Sequence, residues 1–489
     1  MSGPVEVELK LEYNPSDRDR IATSALLSSD DRTCQELVAT YFDTSDLQLN
    51  KAGYVLRIRS DGKTAIQTVK ASDSGAAGLF VRGEWERPVV GGQPVLDEAA
   101  GPLCHILDPS RLARIEPVFA TDVERLAGHI EYDEASIEYA IDTGHVLAGQ
   151  RSTMLSELEL ELKHGSPDLL FDLARSLDEE VPLRLGVRSK SARGYALIGG
   201  CASKAIKADP IRLATSLDAG EAFAMIAGSC LRQYRLNEAL LVENGAPEAV
   251  HQARVALRRL RSAFSFFSPL FAGDERARLL SSELRWLAGE LGAIRDIDVL
   301  VPRLADPDRR ALATIRDSRF ARLLTLLDSR RARLLPIEIA EWLATGHWLT
   351  ETTGAPARDE HVRIFASERM DRLRKRIKRE GAGLARLDDE HRHQVRKDAK
   401  RLRYAAEFFV SLYPGRKARN RLDRYLGRLE ALQDKLGQLN DIAAAPDLLT
   451  GLGVKADIPS LSKKERRRLL EDAQDCFEVL IGTKRFWCA

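Results

Sequence analysis

The chain has 489 residues, of which 44% are hydrophobic and 30% charged, and its formal net charge is +1. That length holds two or three domains with cores of their own, and that composition excludes a disordered chain. The near-zero net charge excludes a global attraction to nucleic acid or membrane, so any polyanion site has to come from local clustering. In chain order, the first predicted element is Val5-Glu6-Val7-Glu8-Leu9-Lys10-Leu11-Glu12, which alternates apolar and charged residues. Alternation at period two predicts a strand with one apolar face and one ionic face, the latter carrying Glu6, Glu8, Lys10 and Glu12.

Further strands are predicted over Leu37–Asp43, Tyr54–Arg59, Ala65–Lys70, Leu79–Pro88, Pro117–Arg125, Ile130–Asp142 and Ser152–Lys163. Asp61-Gly62 is a hairpin signal between two of them. Many antiparallel strands at regular spacing predict a closed or nearly closed barrel. Charges recur at period two within these strands: Arg57 with Arg59, Arg82 with Glu84 and Glu86, and Glu157 with Glu159 and Glu161. For one strand that pattern fits a solvated face. Repeated over most strands of one domain, it predicts an ionic lumen. Two strands with rows of carboxylates repel unless positive charge lies between them, and a divalent cation with oxygen ligands suits that place.

These residues, in this order, resemble the CYTH domain, the triphosphate tunnel metalloenzymes. The resemblance rests on Glu6-x-Glu8-x-Lys10, Tyr41-Phe42-Asp43-Thr44, Arg57-x-Arg59, Lys70, Thr121 with Arg125, Asp142, Glu157-x-Glu159-x-Glu161 and Lys190-Ser191-x-Arg193-Gly194-Tyr195, and covers residues 1–203. It implies an eight-stranded antiparallel tunnel that binds triphosphates with Mg2+ or Mn2+. It further implies catalytic roles for Glu6, Glu8, Lys10 and Lys190, and phosphate binding by Arg57, Arg59, Lys70, Arg125 and Arg193. The implied metal ligands come from Glu6, Glu8, Asp142, Glu157, Glu159 and Glu161. The chemistry agrees: hydrolysis of a triphosphate is mainly a matter of positioning and charge stabilisation.

A domain boundary is expected at Gly199-Gly200-Cys201-Ala202-Ser203 and the stretch that follows, to Pro210. Beyond it, apolar residues recur at helical spacing. The helical half repeats itself: His251–Gly273 and His393–Gly415 share 11 identities in 23 positions, and Leu291–Asp296 pairs with Leu436–Asp441. Two related helical bundles are predicted, roughly 210–345 and 355–489. At about 100° per residue, His251, Arg254, Arg258 and Arg261 fall on one face, as do His393, Arg396, Lys400 and Arg403. Ala253, Ala256, Leu257, Leu260, Ala263, Phe264 and Phe267 form the predicted core face of the first helix; Val395, Ala399, Leu402, Ala405, Ala406 and Phe409 form that of the second. An ordinary solvated helix mixes its charges, because like charges at i,i+4 repel; here the stripe has one sign and occurs twice.

The stripes and the repeat resemble the CHAD domain over about 210–489. That resemblance implies two pseudo-symmetric four-helix bundles, α+β for the whole chain, and a basic groove for inorganic polyphosphate lined by both stripes and Arg295. Asn440 stands where the repeat places Arg295, and Lys400 where it places Arg258.

The six cysteines form no CxxC pair, which speaks against a zinc site or disulfide framework. No apolar run approaches the roughly 20 residues that span a bilayer, and no basic-then-apolar signal region opens the chain. A cytoplasmic metal-dependent inorganic triphosphatase with a polyphosphate-binding helical domain is the expectation. Other CYTH chemistry (thiamine triphosphatase or adenylate cyclase) requires a pocket for an organic group, for which Trp85 and Tyr41 are the aromatic candidates. A non-catalytic polyphosphate-binding protein requires a vestigial tunnel. A nucleic-acid binder fits least, given the charge balance and the few aromatics beside the stripes.

Overall fold

The computed structural model describes residues 5–71, 77–97, 102–132, 134–200, 204–454 and 461–487. Three of the residues at the expected boundary, 201–203, lie outside that set. The chain divides into two compact units, Met1–Ala205 with Leu327–Gly346, and Ile206–Leu326 with His347–Ala489.

Eight strands of the first unit close into an antiparallel barrel: β1 (Val5–Tyr13), β2 (Thr33–Asp43), β3 (Tyr54–Ser60), β4 (Ala65–Ala71), β5 (Leu79–Pro88), β6 (Glu116–Tyr132), β7 (Ala135–Ala148) and β8 (Arg151–His164). Neighbours run β5-β4-β3-β2-β6-β7-β8-β1, and β1 pairs back with β5 to complete the ring. A short ninth strand, β9 (Leu183–Leu185), adds to the end of β1. The period-two pattern sets the register. On β1, Leu9 and Leu11 are fully buried on the outer face, beneath the helix Asp168–Glu180, while Glu8 and Lys10 are buried inside. At the predicted hairpin, Gly62 has φ +86° and the Asp61 carboxylate accepts from Lys63 N and Thr64 N at 2.8 and 2.7 Å. The segment expected as one strand over Ile130–Asp142 is instead a hairpin: β6 runs on to Tyr132 and β7 starts at Ala135, with those two residues paired. The polar stretch between them interrupts the apolar alternation.

The helix Lys190–Ile198 fills one end of the barrel. Ser189 caps it by accepting from Ala192 N. Its Gly194 lies on Phe119, where a Cβ would come within 2.2 Å of the ring. Phe119 stacks on Tyr41 at 4.4 Å and meets Tyr195 edge-on at 5.1 Å.

The helix Arg330–Thr345 also belongs to the barrel unit, although it lies within the stretch expected to be part of the first helical repeat. It buries Ala332, Leu335, Ile339 and Leu343, and its Arg333 donates to both oxygens of Asp178 at 2.9 and 3.0 Å. Arg175 reaches its Glu341 at 2.7 Å. An apolar face and a buried guanidinium matched to a buried carboxylate explain why it packs there.

The second unit holds two successive sets of four long helices: Ala219–Asn244, Pro247–Phe266, Glu275–Leu300 and Asp308–Asp328, then Val362–Glu380, Asp389–Phe408, Arg416–Gly451 and Lys463–Gly482. All thirteen predicted core-face residues are buried. The two stripe helices, Pro247–Phe266 and Asp389–Phe408, pack on each other. Phe266, Phe267, Phe365 and Phe409 form one aromatic cluster between the halves, with Phe266 and Phe409 5.4 Å apart.

Candidate functional site: a charged lumen and a basic groove

Alternation turns every second residue of each strand inward, and the register stacks opposite charges. Lys10 faces Glu159 across β1 and β8, and Arg125 faces Asp142 across β6 and β7; the like-charged pair Glu12 and Glu157 is relieved by Arg193 on the first and by Lys10 and Lys190 on the second. Lys10 Nζ lies 2.9 Å from Glu157 and also pairs with Glu159. Lys190, carried in by the end-filling helix, lies 2.7 Å from Asp142, 2.5 Å from Glu157 and 2.7 Å from Glu159. Arg125 donates to both oxygens of Asp142 at 2.7 and 2.6 Å, and to Glu159 at 2.7 Å. Three carboxylates and three cations thus interlock at the centre of the lumen.

A second cluster lies along β1 and β5. Glu6 accepts from Lys70 at 3.0 Å and from Arg82 at 3.2 Å, Arg82 reaches Glu8 at 3.3 Å, and Lys70 also pairs with Glu84 at 3.0 Å. Arg57 and Arg59 approach Glu84 and Glu86 loosely, at 4.0 and 3.9 Å. Arg193 pairs with Glu12. Glu161 is held by Lys163 at 2.7 Å. Arg59 and Arg125 open onto a cavity of about 460 Å³ at the lumen mouth, rimmed by Asp31, Asp61, His129 and Glu138.

Burial by itself disfavours charge on all these groups, yet their neighbours outweigh it. Lys10 is held well above the ordinary lysine range because Glu157, Glu159 and Glu8 surround its buried ammonium. Lys190 is raised in the same way, against burial, by Asp142, Glu157 and Glu159. Buried Glu159 and Asp142 are pulled below the usual carboxylate range, the first by Lys10, Lys190 and Arg125, the second by Arg125 and Lys190. Lys10, Lys190, Asp142 and Glu159 are thus held in their charged forms.

The oxygens of Asp142, Glu157 and Glu159 lie within 4.8 Å of one another. Glu157 Oε2 is buried without a hydrogen-bond partner, and so is Glu8 Oε1, although the latter lies 3.1 Å from the Lys10 ammonium. Hard oxygen donors at this spacing, with unused lone pairs, fit a divalent cation such as Mg2+ or Mn2+. Among the described residues Asp142, Glu157 and Glu159 converge, Glu8 is tied to them through Lys10 while also meeting Arg82, and Glu6 and Glu161 lie apart with Lys70, Arg82 and Lys163. Arg82 and Glu84 are lumen residues that the family motifs left out, though their period-two spacing pointed to the inner face. Neither aromatic candidate faces an open pocket: Tyr41 is 2% exposed against Phe119, and Trp85 packs on the apolar cluster of Phe42, Leu56 and Val69.

In the helical unit both stripes line one groove of about 810 Å³. Arg254, Arg258 and Arg261 come from one helix and His393, Arg396 and Lys400 from the other. Arg278, Arg285, Lys397 and Arg401 extend the lining; they lie off the stripes or on other helices, so helical phase gave no sign of them. Three expected residues lie elsewhere. His251 sits near Arg295, and burial together with that guanidinium lowers its pKa. Arg403 turns to Glu407 at 3.4 Å and over the Tyr404 ring. Asn440, the residue in the Arg295 place, accepts a 2.6 Å hydrogen bond at its Oδ1 from His393 Nδ1.

The CYTH domain model matches residues 5–195 and the CHAD domain model matches residues 225–450. An inorganic triphosphatase of Haemophilus influenzae is 33% identical over 159 residues, which cover 32% of this chain and 45% of that protein. An uncharacterised protein of Mycobacterium tuberculosis is 29% identical over 197 residues, covering 34% of this chain and 35% of that protein. The chain thus spans less than half the length of these curated relatives. Among solved structures, the CHAD domain of the plant Ricinus communis is 28% identical and covers 56% of this chain and 91% of its own, with a TM-score of 0.45. A Hippeastrum protein named for adenylyl cyclase, with a dominant triphosphatase activity, is 16% identical and covers 39% of this chain and 95% of its own, with a TM-score of 0.29. The charged eight-stranded barrel and the twice-repeated basic stripe agree with the two family matches: the chain carries a CYTH domain at residues 5–195 followed by a CHAD domain at residues 225–450.

Proposed function

We propose that the barrel hydrolyses a phosphoanhydride bond of inorganic triphosphate with a divalent metal, Mg2+ or Mn2+, and that the helical groove binds inorganic polyphosphate. The observation that carries the first part is the convergence of Lys10, Lys190 and Arg125 on Asp142, Glu157 and Glu159 inside the lumen. A triphosphate has the size and charge to replace the carboxylates as partner of these cations. Arg125, Arg57, Arg59 and Arg82 offer forked donors to phosphate oxygens, and Lys10, Lys70 and Lys190 offer point charges. The freed carboxylates of Asp142, Glu157 and Glu159 would hold the metal, which supplies charge neutralisation at the phosphoryl group and an activated water. Because Lys10 and Lys190 are held protonated and Asp142 and Glu159 ionised, these residues act by positioning and by stabilising charge rather than by taking protons through a perturbed base. The Haemophilus influenzae relative, named an inorganic triphosphatase, supports the substrate class. The burial of Tyr41 against Phe119 and the packing of Trp85 on an apolar cluster disfavour a substrate with an organic group stacked on them.

The groove reading rests on the excess of cations in its lining, against the one carboxylate of Asp274, and on the CHAD match. A phosphate-release screen over triphosphate, pyrophosphate, thiamine triphosphate and ATP, with Mg2+, Mn2+ and EDTA, tests the catalytic part. Triphosphate is expected to be turned over fastest, and EDTA to stop it. Preference for ATP or thiamine triphosphate overturns the substrate assignment.

A further inference from the structure

The groove lining contains one lysine in a place where the repeat has arginine. Lys400 occupies the position of Arg258, and the two stripe helices pack so that both residues line the same groove. From the facing helix, Lys400 meets the fields of Arg254 and Arg258; from its own helix, those of Arg396 and Arg403. Arg261 and Arg285 line the groove beyond them. Carboxylates at the groove are engaged elsewhere: Asp274, which lines it, caps its helix by accepting from Ala277 N at 3.0 Å, Asp296 lies 3.8 Å from Arg254, and Asp441 lies 3.9 Å from Arg303 and acts on Arg396. Lys400 makes no ion pair with a carboxylate among the described residues.

An ammonium half-buried among guanidiniums and without an anion is unfavourable. A guanidinium cannot shed its proton at ordinary pH, but an amine can. Lys400 is accordingly pushed down to about 6, first by burial and then by Arg258, Arg396 and Arg254. An anion in the groove reverses the balance, because it replaces repulsion with attraction at the same nitrogen.

We propose that the groove takes up one proton with each polyanion segment it binds, and that Lys400 receives it; this rests on the polyphosphate reading above. Free Lys400 is neutral at pH 7–9 and becomes an ammonium when phosphate oxygens fill the groove. The other titrating groups do not share this window. His251 and His393 are lowered from the ordinary histidine value, mainly by burial, and an anion that undoes the lowering returns them toward that ordinary value, below pH 7, whereas it returns Lys400 toward the much higher lysine value. Arg254, lowered to about 10 by burial and Arg258, is still charged. The internal phosphates of a long chain stay ionised throughout. Linkage then makes polyphosphate affinity fall about tenfold per pH unit above pH 7, and makes it level off below about pH 6, where free Lys400 is already charged.

The test is isothermal titration of the full chain with long-chain polyphosphate at pH 7, 8 and 9. Two buffers of different ionisation enthalpy count the protons taken up. About one proton per binding event is expected at pH 8. Lys400→Arg, which installs the residue of the first repeat, is expected to bind without proton uptake and with an affinity that barely changes from pH 7 to 9. Lys397→Arg, on the same groove, is expected to keep the wild-type pH dependence. Tight binding by wild type without proton uptake overturns this proposal and leaves the polyphosphate reading standing. Uptake that persists in Lys400→Arg also overturns it, because the proton then goes elsewhere. No binding at any pH overturns the polyphosphate reading and this proposal with it.

Discussion

Tyr195 donates a 2.9 Å hydrogen bond from its hydroxyl to Asp43 Oδ2, joining the end-filling helix to the end of β2. Asp43 is fully buried and also accepts from the backbone of Thr44, Leu49 and Asn50 at 2.7, 2.8 and 3.0 Å. Two sequence motifs about 150 residues apart, Tyr-Phe-Asp-Thr and Lys-Ser-x-Arg-Gly-Tyr, are thereby parts of one device that aims Lys190 into the lumen. Tyr195→Phe removes the donor and leaves the Asp43 oxygen without it, a loss of about 1–3 kcal/mol. Thermal unfolding is expected to show that loss, and triphosphate turnover is expected to fall several-fold because Lys190 is less well held. Unchanged stability and turnover would show that the helix is positioned by other contacts.

Gly194 makes the same helix possible. Its Cβ position lies 2.2 Å from the Phe119 ring, which is held by Tyr41. Gly194→Ala must push the helix outward or distort the ring, at a cost of about 1–3 kcal/mol. A lower melting temperature together with a lower kcat is expected; a fall in stability alone would mean that Lys190 keeps its place.

The helix Arg330–Thr345 carries a third prediction. Arg333 is the bidentate partner of Asp178, whose side chain is fully buried. Removing one member of a buried pair costs up to about 3–5 kcal/mol; Asp178 is then left to the half-exposed Arg330, 3.7 Å away, and to the Leu183 amide. Arg333→Met is expected to lower the unfolding midpoint strongly in chemical denaturation. A fragment ending at residue 205 lacks the whole helix, and is expected to be less stable than the barrel in the full chain. A fragment as stable as the intact unit would contradict this.

The lumen sets a pH range for the barrel. Asp142 and Glu159 have folded pKa values below the ordinary ones, so their contribution is present above the unfolded carboxylate value of about 4 and is lost as pH falls through the lower folded value. Lys10 and Lys190 have raised values, so theirs is complete below about 10.4 and is lost as pH rises past the folded value. Barrel stability is therefore expected to be flat from about pH 5 to 10 with respect to these groups. Denaturation midpoints across that range check this, and a loss near neutrality would mean that a lumen lysine or carboxylate titrates there.

The barrel was legible because alternation at period two is a local signal, and its repetition on many strands has one geometric outcome. The stripes were legible for the corresponding helical reason, and their core faces were read residue by residue. What was not legible depends on register and on contacts distant in sequence. Strand stagger decides that Asp142 of β7 joins Glu157 and Glu159 of β8, and no single strand records it. Helical phase placed Arg403 with its stripe, but its neighbour Glu407 draws it aside. The apolar face of Arg330–Thr345 looked like any other helix of its half; its partner, Asp178, lies 155 residues earlier.

The most direct test of the lumen as a metal-dependent triphosphatase site is phosphate release from inorganic triphosphate by wild type and Glu159→Gln, each with Mg2+ and with Mn2+. Glu159 touches Lys10, Lys190 and Arg125 and belongs to the converging carboxylates. Loss of one such charge-positioning group is expected to lower kcat about 100-fold or more with either metal, in a protein that still unfolds cooperatively. A folded Glu159→Gln variant that turns over triphosphate within a few-fold of wild type would contradict the assignment of the reaction to this lumen.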